Sequence, residues 1–127
     1  MCIRDRVNAT RYRVALTTVF TNLLENAVKY SRKADGTVPT IHVSLTSLDK
    51  WLQIQVIDQG IGLERQFRKS VFERFFRVPS EDVRSRHGSG LGLFVVSEIV
   101  RNMGGRIEMD SPGVGHGTTV TLRLPMT

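Results

Sequence analysis

Cysteine is nearly absent. Cys2 is the single one in 127 residues, which excludes an internal disulfide and predicts a reducing, cytoplasmic setting. No apolar run approaches the roughly 20 residues that a membrane-spanning helix needs, and no secretory leader is evident. Aromatic residues are sparse at 7% and are not interleaved with arginine as in a base-stacking surface. Acidic residues are the minority: twelve Asp and Glu face eighteen Lys and Arg, for a net charge of +6. Those cations are scattered rather than gathered in one run, so nucleic acid is not the expected partner, while smaller polyanions fit. Repeats and low-complexity tracts are also missing.

What is present suits one globular domain. The length allows burial of about two thirds of the unfolded surface. Residues 1–6, Met-Cys-Ile-Arg-Asp-Arg, share no pattern with the rest and are expected to be an adventitious leader, leaving 7–127 as the domain. From Thr10 to Ser31 the spacing predicts a helix, with Thr10 as its cap. Leu16, Val19, Phe20, Leu23, Leu24 and Ala27 recur at three-and-four intervals as its buried face. A second stripe carries Asn22, Asn26 and Lys29, flanked by Glu25 and Tyr30. Asparagine is a poor helix former, and a merely solvated face is usually built from better ones. The row aligns carboxamide oxygens with an ammonium, a set suited to a hydrated divalent cation and to phosphate oxygens. Tyr30 offers a flat surface to a ring.

Downstream, Ile41, Val43 and Leu45 alternate with polar residues, as do Leu52, Ile54 and Val56; Asp49-Lys50 joins them as a hairpin. His42 lies on the polar face, with no metal cluster to join. The second strand ends at Asp58-Gln-Gly60-Ile-Gly62, which alone reads first as a surface loop and second as a place where backbone passes close to a ligand that Asp58 accepts from. Glu64–Phe76 is expected to be a short helix with Phe67, Val71 and Phe75 on one face and Phe72 and Phe76 on another. Residues 77–87 are charged and aperiodic, the pattern of a flexible loop. Gly88-Ser-Gly90-Leu91-Gly92-Leu93 opens an amphipathic helix carrying Leu93, Val96, Val100 and Met103. Free N–H groups at such a start suit phosphate, although the spacing is neither that of a Walker A loop nor of a dinucleotide fingerprint. Gly104-Gly105 closes this helix, and a last hairpin pairs Ile107 and Met109 with Val120, Leu122 and Leu124.

In this order and spacing the motifs resemble the catalytic ATP-binding domain of sensor histidine kinases, over Arg11 to about Pro125. The Asn-rich helix is similar to that family's N box, Asp58-x-Gly-x-Gly62 to its G1 box and Phe72-Glu-Arg-Phe-Phe-Arg77 to its F box. Gly88-x-Gly-Leu-Gly-Leu93 is similar to its G2 box and Gly115-x-Gly-Thr118 to its G3 box. The resemblance implies an α/β two-layer sandwich: a mixed, mainly antiparallel sheet under about three helices, with ATP between helices and a mobile lid. It implies that Asn26 ligates Mg²⁺, that Asn22 and Lys29 lie near the phosphates, and that Tyr30 and Phe72 belong to the nucleotide site. Asp58 would accept from the adenine amino group, Gly60 and Gly62 would admit the base, and Thr118 would support the pocket. Arg77 would face the γ-phosphate; Asn22 and Lys29 would assist it in catalysis. Gly88, Gly90, Leu91, Gly92 and Leu93 would form the lid hinge and phosphate cradle.

The implied activity is phosphoryl transfer to a His on a separate dimerisation domain, and from there to a response regulator. No such domain occurs here: His42, His87 and His116 lie in strand or loop contexts, and none precedes an acidic residue as the acceptor His does. A membrane would be met only through parts outside this sequence. Two other classes fit the residues less well. ATP hydrolases related to gyrase would carry Glu where Asn22 stands and would be longer, and a pure nucleotide sensor would not need the F box and Arg77.

Overall fold

Alternating β-branched and leucine residues form four strands. They are β1 (His42–Leu48), β2 (Trp51–Ile57), β3 (Arg106–Asp110) and β4 (Thr119–Pro125), paired antiparallel throughout in the order β1-β2-β4-β3. The architecture is a computed structural model that describes residues 3–32, 36–80, 83 and 91–125, with side chains in the first helix from Tyr12 onward. Register places matching side chains in rows across the sheet. Val43, Val56, Val120 and Met109 form one row; Leu45, Ile54, Leu122 and Ile107 form the next. Because side chains alternate between faces, these rows all point to the same layer.

That layer is helical. The described residues hold two α-helices, α1 (Ile3–Ser31) and α2 (Gly92–Asn102), packed on each other and on the sheet. Val19, Leu23 and Ala27 of α1 and Val96 and Val100 of α2 are buried against Ile54, Leu122 and Leu124, so the apolar stripes read from spacing do meet the sheet. The result is an α/β two-layer sandwich.

Three expectations fail in detail. Helix α1 begins at Ile3, so Thr10 lies inside it and does not cap it. Glu64–Phe76 is not a helix but two single 3₁₀ turns, Arg65–Phe67 and Ser70–Phe72. Glu73 is extended and Phe75 has a left-handed φ of 64°, which end any helix there. Three cations, Arg65, Arg68 and Lys69, stand at helical neighbour spacing and oppose helix formation, while the chain bends to put Phe67, Val71 and Phe72 against the core. Phe75, assigned to the buried face, is 64% exposed. Finally, β1 is exposed along its whole length. Its apolar residues point to the helical layer, but α1 packs over β2 and α2 over β3, and no described element covers the edge. Leu45 is therefore 63% exposed although its cross-strand partner Ile54 is fully buried.

Truncation in one row should separate these environments. Leu122→Ala is expected to destabilise by about 2–5 kcal/mol through lost burial and the cavity left behind. Leu45→Ala, two strands away, should change stability by no more than about 0.5 kcal/mol. Urea midpoints at constant slope give both values, and equal losses would mean that β1 is covered.

Candidate functional site

Asp58 follows the last residue of β2, where the strand would otherwise end in an exposed turn. It is 8% exposed, and its carboxylate is almost completely engaged. Oδ1 accepts the backbone N–H of Gly60 at 2.9 Å and that of Thr118 at 3.1 Å; Oδ2 accepts the Thr118 hydroxyl at 2.6 Å. A carboxylate can accept four bonds, so Oδ2 retains a lone pair for a ligand donor. The loops around it are tied by backbone. Asp58 N–H donates to Thr118 C=O, Gly117 N–H to Gly60 C=O, and Ile61 N–H to the Tyr30 C=O at the end of α1.

These ties explain two glycines. A Cβ at Gly60 would overlap the Tyr30 carbonyl, because the loop lies directly on the helix end. At Gly62 φ is 74°, and a Cβ there would overlap the Gly113 carbonyl. Both glycines shape the site by letting backbone approach backbone.

Asp58 closes one side of a cavity of about 380 Å³ whose opposite wall is α1. Asn22, Glu25, Asn26, Lys29 and Tyr30 all line it, so the polar stripe faces one half-open cavity. Asn22 Nδ2 donates to Thr18 C=O at 2.8 Å, which orients its carboxamide. Lys29 Nζ lies 4.7 Å from the Tyr30 ring centroid, a cation–π distance. Gly62, Gly92, Leu93 and Thr118 complete the set of motif residues that line the cavity. A side chain on Gly92 would come within 3.3 Å of Asn22 Oδ1.

Arg77 also lines the cavity, but its guanidinium donates to the carbonyl of Val83, whose side chain is buried in the same space. Phe72 is elsewhere: it lines a groove against α2 and β3, and the Phe-rich segment contributes Val71 and Phe76 to the cavity instead. Because the segment is not helical, counting along it misplaced its aromatic faces. Leu91 stands next to the cavity as the residue before α2 without lining it, and Gly88 and Gly90 lie outside the described residues.

Sequence reasoning passed over the apolar lining: Ile61, Leu63, Val78, Val83 and Met109. Met109 had a signal, since it sits at an inward position of β3. Leu63 and Val78 follow turns, where no periodicity marks them. Together they give an apolar slot between a carboxylate acceptor and a row of amide and ammonium groups. Such a space accepts a flat heterocycle carrying an amino group at one end and an anionic tail at the other. Among the described residues no three His, Cys, Asp or Glu cluster as metal ligands.

Known proteins share this arrangement. The family described as "Histidine kinase-, DNA gyrase B-, and HSP90-like ATPase" matches residues 12–127. The sensor histidine kinase WalK of Bacillus subtilis (strain 168) is 39% identical over 110 residues, 87% of this chain and 18% of WalK. The histidine protein kinase SaeS of Staphylococcus aureus (strain USA300) is 34% identical over 114 residues, 90% of this chain and 32% of SaeS. The chain thus spans a third or less of these curated relatives. Among solved structures, the mycobacterial sensor histidine kinase MprB superposes with a TM-score of 0.74 at 34% identity, covering 88% of this chain and 70% of that one. Full-length ShkA in complex with AMPPNP superposes with a TM-score of 0.70 at 26% identity, over 87% of this chain and 21% of that one.

The Thr118 hydroxyl is predicted to hold Asp58 in place. Thr118→Val keeps the shape but removes the donor and should cost roughly 1–3 kcal/mol, whereas Thr118→Ser should restore most of it. Chemical denaturation measures both; equal stability of the Val and Ser variants would show that the bond contributes nothing.

Proposed function

Because the chain belongs to the histidine kinase-, DNA gyrase B- and HSP90-like ATPase family, and is a catalytic ATP-binding domain of the histidine-kinase type, we propose that it transfers the γ-phosphoryl group of ATP–Mg²⁺ to a His on a separate dimerisation domain. The observation that carries this reading is one cavity with two unlike ends: the pinned Asp58 at one and the Asn22–Asn26–Lys29 row at the other. Asp58 takes the adenine amino group on its remaining Oδ2 lone pair, and the slot of Ile61, Leu63 and Met109 holds the ring out of water. Residues 7–127 act as this one domain, and the downstream partner is a response regulator. No helix among the described residues is long and apolar enough to cross a membrane. We place the domain in the cytosol, with any membrane contact made by other parts of a full-length kinase.

The donor set fits Mg²⁺. This ion prefers oxygen ligands and keeps several waters, so one carboxamide together with phosphate oxygens suffices where no carboxylate cluster exists. Asn26 holds it, Asn22 and Lys29 receive phosphate oxygens, and Glu25 lies at the same wall as a surface acid. When bound, the ion screens the negative charge on the phosphates. Arg77 acts later. Its guanidinium donates to the Val83 carbonyl, and it exchanges that bond for the γ-phosphate as charge develops. The N–H groups at the start of α2 receive the phosphates, a role that Gly88 and Gly90 share.

Binding and chemistry separate in one set of variants. Mg²⁺–ATP at ~100 times its dissociation constant should add about 2.7 kcal/mol of stability, and both Asn26→Ala and Asp58→Ala should lose most of that thermal shift. With a matching two-helix dimerisation domain and labelled ATP, acid-labile label should appear on the partner and not on His42, His87 or His116 of this chain. Arg77→Ala should lower that transfer more than it lowers affinity. Undiminished shifts in the first two variants, or label retained by this chain, would sink the assignment.

A further inference from the structure

A second groove, of about 550 Å³, runs along the outer edge of the sheet between β3, the C-terminal half of α2 and the 3₁₀ segment. It shares only Met109 with the nucleotide cavity, and nothing in the proposed phosphoryl transfer uses it. Its floor is apolar, formed by Phe72, Val100 and Ile107, and its rim carries Arg68, Lys69, Arg101 and Arg106. Arg101 pairs with Glu98 at 3.3 Å, while Arg68, Lys69 and Arg106 have no ion-pair partner among the described residues. Arg106 stands directly across from Arg123 on the outer sheet face, a like-charge pair that costs stability. The two acids of the groove are engaged elsewhere. Glu108 lies 3.9 Å from Arg123, and Asp110 accepts the N–H of Ser111 at 2.9 Å.

The wall of this groove is an open strand edge. Among the described residues β3 pairs only with β4, so alternate residues of 106–110 direct N–H and C=O groups outward. We propose that this groove receives an extended acidic segment of a partner protein, which adds to β3 as a fifth strand. Its apolar side chains rest on Phe72, Val100 and Ile107. Its carboxylates meet Arg68 and Lys69 at the rim and Arg106 on the outer face. The backbone edge supplies affinity, and the cations select acidic residues over basic ones. A carboxylate beside Arg106 also relieves its repulsion with Arg123. The groove thereby gives the domain a docking point separate from its nucleotide site.

The test uses this chain and a short fluorescein-labelled peptide alternating Glu and Val, with an alternating Lys and Val peptide as control. Fluorescence anisotropy should show saturable, salt-weakened binding of the acidic peptide only, with amide NMR shifts concentrated at 106–110. The combined variant Arg68→Glu, Lys69→Glu and Arg106→Glu should weaken it at least about tenfold, equivalent to 1.4 kcal/mol, with nucleotide binding unchanged. Should charge reversal impair folding, Arg68→Gln with Lys69→Gln should still weaken binding measurably. Absence of binding, equal binding of the basic peptide, or shifts centred on 42–48 would overturn the proposal. So would a single-stranded oligonucleotide that displaces the peptide more effectively than unlabelled peptide does.

Discussion

A single buried carboxylate holds the functional end of this domain together. Asp58 ends β2, and its two oxygens collect the N–H of Gly60, the N–H of Thr118 and the Thr118 hydroxyl. Burying a charge is costly unless hydrogen bonds replace its water. Here the replacements come from the two loops that must meet at the cavity, so the requirement to satisfy the carboxylate also sets their positions. The Gly60 loop is then fastened to α1 through Tyr30 C=O, and the β4 loop to Gly60 C=O through Gly117. Sheet and helix are joined at their shared end by polar contacts, just as they are joined in the middle by Val19, Leu23, Ile54 and Leu122.

This junction explains why the polar stripe of α1 lines a cleft rather than lying on an open surface. The apolar stripe seats α1 on β2, the Asp58 loops come up along its C-terminal end, and the interval between them is the cavity. One wall is fixed by strand and loop backbone, the other by a helix whose side chains project at one-turn intervals. In the proposed reading a ligand held by both walls is oriented at two distant points, a ring at Asp58 and phosphates at Asn22, Asn26 and Lys29. Two-point positioning is the main service a protein can offer to phosphoryl transfer, where geometry and charge carry most of the catalysis.

Much of this was legible from residue order alone. The two stripes of α1, the hairpin at Asp49-Lys50 and the inward rows of β3 and β4 all follow from period, and the structure reproduces them except for Leu24, which spacing puts on the buried stripe and which is exposed. Asp58 was recognisable only through the order and spacing of all the motifs, since a carboxylate ending a strand before closely spaced glycines reads by itself as a surface loop. Period failed where tertiary packing decides. Residues 64–76 carry a plausible helical pattern, yet burying Phe67, Val71 and Phe72 in different directions breaks them into two turns. Phe72 consequently faces the β3 groove while Phe76 reaches the cavity. Alternation in β1 correctly announced a strand, but alternation says which way side chains point and not whether anything covers them. The apolar cavity lining was invisible for a related reason: Leu63 and Val78 come from irregular stretches, where neighbours in space are far apart in sequence.

The central claim is that Asp58 recognises an amino group on the bound ring. Titration calorimetry should therefore compare Mg²⁺–ATP with the triphosphate of purine riboside, which lacks only that amino group, in the wild-type chain and in Asp58→Ala. A hydrogen bond to a charged acceptor is worth about 1.5–3 kcal/mol, so the wild type should prefer ATP by roughly 10- to 150-fold. In Asp58→Ala that preference should collapse to near unity, the two losses being the same interaction counted from either side. A preference that survives intact in Asp58→Ala, or none in the wild type, would contradict the account.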